Sequence, residues 1–131
     1  MDTVEEAPVS VLVVDDQAPF RRAAATVVAL TSGFEMVGEA RSGEEAEELV
    51  TSLAPRLVLM DINMEGIDGI EATRRIKAAH PDVMVVLLST YAEDDLPASA
   101  RTCGAAAYLN KESFGPAALK ELATKALATE E

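Results

Sequence analysis

The sequence carries one cysteine, one histidine, no tryptophan and only 4% aromatic residues. With Cys103 alone, no intrachain disulfide can form, which fits a reducing compartment. The scarcity of rings leaves Val, Leu, Ile, Ala and Met to build the core. Basic residues are also few: 11 Lys and Arg face 23 Asp and Glu, for a formal net charge of -12. Gripping a phosphate backbone takes clustered Lys and Arg, so direct nucleic-acid contact is not expected. No apolar run approaches the roughly 18 residues of a membrane span. The opening "MDTVEEAP" has neither the basic nor the apolar segment of a signal peptide. The expectation is a soluble cytoplasmic protein without membrane contact.

What is present is a regular alternation of short apolar runs and helical stretches. A chain of 131 residues buries roughly two thirds of its unfolded surface and can fold as one domain. Residues 1–8 read as a disordered leader, 9–128 as the domain and 129–131 as a tail. "VSVLVV" (9–14), "LVLMD" (57–61), "VMVVLLS" (83–89) and "AAYLN" (106–110) are short and apolar enough for buried strands. "FEMVGEA" (34–40) sets Phe34 and Met36 on one side and Glu35 on the other, as a half-buried edge strand does. Helices are expected over 19–31, 42–52, 70–80, about 94–102 and 116–127. Pro19 suits a first turn, and Ser42 with Glu45 forms a capping-box signature. In the last helix, Leu119, Leu122 and Leu127 point to the core. This order argues an α/β fold: a doubly wound five-stranded parallel sheet in the flavodoxin-like order 2-1-3-4-5, with helices on both faces.

Ligands in such sheets bind outside the carboxyl ends of the strands. There the first run ends in Asp15 and Asp16, the third in Asp61 and the fourth in Ser89 and Thr90; Lys111 follows the fifth. If strands 1 and 3 are neighbours, about 5 Å apart, three carboxylates share one cleft. Such a cleft favours a hard divalent cation, and Mg²⁺ accepts two carboxylates, a backbone carbonyl and waters. Lys111, about 10 Å from Asp61 at the backbone, can reach across with its long side chain. A carboxylate flanked by Mg²⁺, Lys and a hydroxyl is arranged to take up a phosphoryl group, giving an acyl phosphate on Asp61.

Taken together, "VLVVDD", "LVLMDINMEGIDGIEATRRIK", "VVLLST" and "GAAAYLNK" resemble the receiver domain of two-component response regulators, over about residues 9 to 127. "GIDGIEATRRI" is most similar to the class that usually carries a helix-turn-helix output. The resemblance implies that a sensor histidine kinase phosphorylates Asp61. It implies that Asp16, Asp61 and the backbone carbonyl of Asn63 bind Mg²⁺, with Asp15 acting through water. Lys111 pairs with phosphorylated Asp61, Ser89 contacts the phosphoryl group with Thr90 beside it, and Tyr108 is the aromatic switch. The face formed by helix 4, strand 5 and helix 5 then signals to an output partner, with a homodimer as one arrangement. Such a domain phosphorylates and dephosphorylates itself and turns over no external substrate. Two residues depart from the pattern: Glu65 and Glu112 stand where proline is common, so the cis bond often found after the lysine is not expected.

Simpler readings stand beside these. Asp15 and Asp16 could cap a helix, Lys111 could be a surface lysine, and Tyr108 could be a core residue with its hydroxyl in water. His80 reads as an exposed helix end, Cys103 as a small buried packer, and "GEEAEELV" as a solvated acidic face. A second function is a Mg²⁺-dependent aspartyl-phosphate phosphohydrolase, whose family keeps its nucleophile on strand 1 in a D-x-D pattern that "DDQAP" lacks. A flavin module would want a Ser, Thr and Gly loop after strand 1, and here that loop is acidic.

Overall fold

The computed structural model describes residues 8–90 and 96–128. The expected leader, save Pro8, and the expected tail lie outside the described residues. Five strands form one parallel sheet in the order β2-β1-β3-β4-β5: β1 (Val9–Val14), β2 (Phe34–Ala40), β3 (Leu57–Asp61), β4 (Met84–Ser89) and β5 (Ala107–Asn110). Between and after them run α1 (Ala18–Leu30), α2 (Gly43–Leu53), α3 (Gly69–Ala79), α4 (Ala98–Thr102) and α5 (Pro116–Ala128). Fold class and strand order are those expected from the sequence.

The period-two pattern of the strands sorts the core into two layers. Leu12, Val14, Val58, Met60, Val85 and Leu87 face α2, α3 and α4, where Val50, Ile76 and Ala100 meet them. Val11, Val13, Leu57, Leu59, Val86 and Leu88 face the other way, onto Ala24 and Val28 of α1 and Leu119 of α5. Leu122 packs at the margin of this second layer; the side chain of Leu127 is outside the described residues. Because β1, β3 and β4 are covered on both faces, their central residues, 11–14, 57–60 and 84–88, are apolar without a break. Cys103 is buried in the first layer, as expected.

Local signals set the helix ends. The Ser42 hydroxyl accepts the Glu45 N–H, while the Glu45 carboxylate accepts the Arg41 N–H, one residue earlier than a strict capping box. Asp68 caps α3 by accepting the Glu71 N–H. The acidic stretch of α2 is not wholly solvated: Glu45 pairs with Arg41 and Glu47 with Arg75. His80 ends α3, half-buried, within 3.2 Å of the Thr51 hydroxyl.

Two details differ from the sequence reading. The helix expected from about 94 begins at Ala98, with Pro97 at its N-cap. The residue before a proline is steered away from helical backbone angles, so Leu96 stays outside; residues 94 and 95 lie outside the described residues. In β2 the alternation breaks, because Val11 pairs with Met36 but Leu12 pairs with Gly38. The extra residue, Val37, is a bulge that reverses which face later side chains take. Phe34 and Met36 pack with the α1/α5 layer and Ala40 with the opposite one.

Candidate functional site

The carboxyl ends of β1, β3, β4 and β5 converge on one acidic cleft. Asp15 follows β1 directly and is fully buried, its N–H bonded to the Ala40 carbonyl of β2. Asp61 closes β3 and is 4% exposed, and Asp16 beside Asp15 is exposed. One oxygen from each of the three carboxylates can be chosen so that all lie within 4.8 Å of one another. Neither Asp15 nor Asp16 caps α1, whose N-cap is Gln17.

The charge that compensates this crowding is Lys111. It opens a 3-10 turn (Lys111–Ser113) beyond β5, anchored by the Asn110 side chain on the Glu112 N–H. Its Nζ lies 2.6 Å from Asp15 Oδ2 and 3.2 Å from Asp61 Oδ1. The other Asp15 oxygen accepts the Gln17 N–H at 2.8 Å. Burial pushes Asp61 up to about 6, with repulsion from Asp15 adding to the rise; Lys111 and the Asn63 backbone amide offset only part of it. Burial draws Lys111 down, but its contacts with Asp15 and Asp61 outweigh that and leave it above the usual lysine value.

Ser89 is buried at the end of β4, in register with Asn110. Thr90 follows it and is exposed, and Asn63 is exposed two residues beyond Asp61. Tyr108, on β5 opposite Leu87, packs against the first core layer, and its hydroxyl donates to the Ala100 carbonyl of α4. The Lys111–Glu112 bond is trans, as all described peptide bonds are. Glu65 is exposed in the loop after Asp61.

Three residues were not singled out from the sequence. The Phe20 ring lies 4.6 Å under the Lys111 ammonium and 6.3 Å from the Phe114 ring. Arg21 donates to the Asp15 carbonyl oxygen at 2.7 Å. Gly69, at the start of α3, comes so close to β3 that an added Cβ would sit 2.1 Å from the Asp61 carbonyl oxygen. The available signals were "PFRR" one turn after the paired acids and a glycine eight positions beyond Asp61.

This donor set is all oxygen and carries three negative charges against one lysine. A hard divalent cation such as Mg²⁺ fits that chemistry and that deficit. With both Asp15 oxygens already engaged, Asp16 and Asp61 are the carboxylates most open to a metal. A large cleft, about 1040 Å³, lies at the other end of the sheet beside Arg56, His80 and Met84. It is remote from this chemistry.

Comparison with known proteins agrees with the geometry. Residues 11–124 match the response regulator receiver domain family. The chain is 43% identical over 103 residues to response regulator GacA of Pseudomonas protegens, covering 79% of this chain and 48% of that protein. It thus spans about half the length of the curated relatives it matches. Among solved structures it is similar to a LuxR-family two-component response regulator from Aurantimonas, at 27% identity and a TM-score of 0.82, covering 95% of this chain and 88% of that one. It is also similar to the signal receiver domain of the putative regulator NarL from Mycobacterium tuberculosis, at 29% identity and a TM-score of 0.80, covering 95% and 97%. No helix among the described residues is long and apolar enough to cross a membrane. With its parallel sheet, its acid cluster and its lysine at the expected strand ends, the chain belongs to the response regulator receiver domain family.

Proposed function

We propose that Asp61 is the phosphoacceptor of this receiver domain. A carboxylate oxygen attacks phosphorus, the bond to the histidine nitrogen of a sensor kinase breaks, and an acyl phosphate remains on Asp61. Asp16, Asp61 and the Asn63 carbonyl would hold Mg²⁺, with Asp15 contributing through a water, and the ion would supply positive charge to offset that on the transferring oxygens. The observation that carries this reading is the convergence of Asp15, Asp16, Asp61 and Lys111 at one sheet edge. Placement of Asp61 on β3 argues against the phosphohydrolase alternative, whose nucleophile belongs on strand 1.

After transfer, the phosphoryl group brings roughly -1.5 to -2 charges and three strong acceptors. Lys111 turns to it from Asp15, and the Ser89 hydroxyl bonds one of its oxygens, with Thr90 at the mouth of the cleft. Tyr108 already ties β5 to α4 through Ala100, so movement of Ser89 is passed to the α4–β5–α5 face. That face signals to an output domain or protein outside this sequence, and pairing of two copies there belongs to the same proposal. The domain works in the cytoplasm and changes only its own phosphorylation state. The phosphoryl group can only bias two states by binding them unequally.

The test is labelling by acetyl phosphate, read by intact mass. Wild type with Mg²⁺ gains one phosphoryl group, while Asp61→Asn, or wild type in EDTA, gains none. Equal labelling of Asp61→Asn, or many rapid turnovers of phosphate release, refutes the reading.

A further inference from the structure

Asp15 is held at every polar atom. Its N–H is bonded to Ala40, its carboxylate to Gln17 and Lys111, and its carbonyl oxygen to Arg21. Asp16 differs: among the described residues its carboxylate has neither a hydrogen bond nor an ion pair. Its place in the cleft is therefore set only by the backbone it shares with Asp15, which fixes the Cα–Cβ bond, and the carbonyl oxygen of that linking peptide is the atom that Arg21 grips.

Arg21 can hold this atom firmly because its other donor is anchored. Its Nε lies 2.6 Å from Glu39 Oε1, and its side chain is only 12% exposed. Glu39 is available on the α1 face because of the bulge at Val37. Were the register unbroken, with Val37 paired to Leu12, Glu39 would pair with Val14 and share the opposite face with Leu12 and Val14. The guanidinium thus spans from the edge strand to the end of β1 with two separate nitrogens of one rigid plane, a fork that lysine's single nitrogen does not reproduce. Glu39 also takes up the arginine's charge, so the clamp adds little positive potential to the cleft.

We infer that Arg21, braced by Glu39, is a positioning residue that fixes the backbone from which the Asp16 carboxylate reaches the divalent cation. This deepens the phosphoacceptor reading and rests on it. The test measures binding of Mg²⁺ alone by calorimetry, for wild type, Arg21→Met, Arg21→Lys and Glu39→Ala. Ile76→Val, a core change in α3, controls for lost stability, and melting curves establish that each variant is folded. Arg21→Met weakens Mg²⁺ binding by roughly tenfold, as removal of an outer-shell partner does. Arg21→Lys rescues it only in part, Glu39→Ala weakens it by a smaller factor, and Ile76→Val binds as wild type. Labelling by acetyl phosphate in saturating Mg²⁺ stays within about threefold of wild type for the Arg21 variants, so the defect is one of metal affinity. If Arg21→Met does not fold, Arg21→Lys and Glu39→Ala carry the comparison. Unchanged Mg²⁺ affinity in the folded Arg21 and Glu39 variants, or an equal loss in Ile76→Val, overturns the inference alone. Absence of Mg²⁺ binding by wild type overturns the phosphoacceptor reading with it.

Discussion

Replacing Asp61 with asparagine is expected to stabilise the metal-free fold at neutral pH. Folding raises this carboxyl from 3.8 to about 6, first through burial and then through repulsion from Asp15. The folded state therefore favours the protonated acid. The resulting cost is absent below pH 3.8, grows between 3.8 and about 6, and is complete above that. A displacement of about two pH units corresponds to about 3 kcal/mol. The cleft is open on its Asp16 side, so solvent screening reduces this to about 1–2 kcal/mol. Asparagine keeps the shape, removes the charge and leaves Lys111 its closer partner, Asp15 at 2.6 Å. Urea denaturation in EDTA should show Asp61→Asn ahead of wild type by that amount at pH 7.5, and level with it near pH 4. Adding Mg²⁺ should then stabilise wild type more than the variant and narrow the gap. A variant no more stable at pH 7.5, or a lead that persists undiminished at pH 4, would refute the electrostatic account of the site.

Lys111→Met leaves two buried carboxylates facing each other; a loss of about 2 kcal/mol is expected in EDTA, below the usual cost of an orphaned buried charge because the cleft is open. Calorimetry should show the same variant binding Mg²⁺ more tightly than wild type, since the competing cation is gone. Gly69→Ala drives a Cβ against the Asp61 carbonyl oxygen. It should cost about 1–3 kcal/mol by denaturant titration and slow labelling by acetyl phosphate, because the displaced strand end carries the nucleophile. Tyr108→Phe removes the hydrogen bond to Ala100. It should cost about 1 kcal/mol or less, with faster amide exchange confined to α4.

The strand ends were legible because their chemistry contradicts their surroundings: acids at 15, 16 and 61 directly follow the apolar runs 11–14 and 57–60. Parallel α/β topology then brings such ends together whatever lies between them, so Lys111 could be placed from 96 residues away in sequence. The residues that hold the site were harder to see. Phe20 and Arg21 look like one apolar and one solvated position of an ordinary helix, and Gly69 like one more loop glycine. Their roles depend on where α1 and α3 sit against the sheet, which hydrophobic periodicity does not specify.

The bulge at Val37 was hidden for a sharper reason. "FEMVGEA" reads equally well as an unbroken alternation, since a single shift in register changes no residue type. Yet that shift decides whether Glu39 meets Arg21 or the opposite layer. The chemistry of this cleft thus depends on two kinds of information. The carboxylates and the lysine are fixed by strand position, which repeats in any sheet of this order. The backbone that places Asp16, the least tethered of them, depends on one extra residue in an edge strand and on the arginine that reads where it puts Glu39.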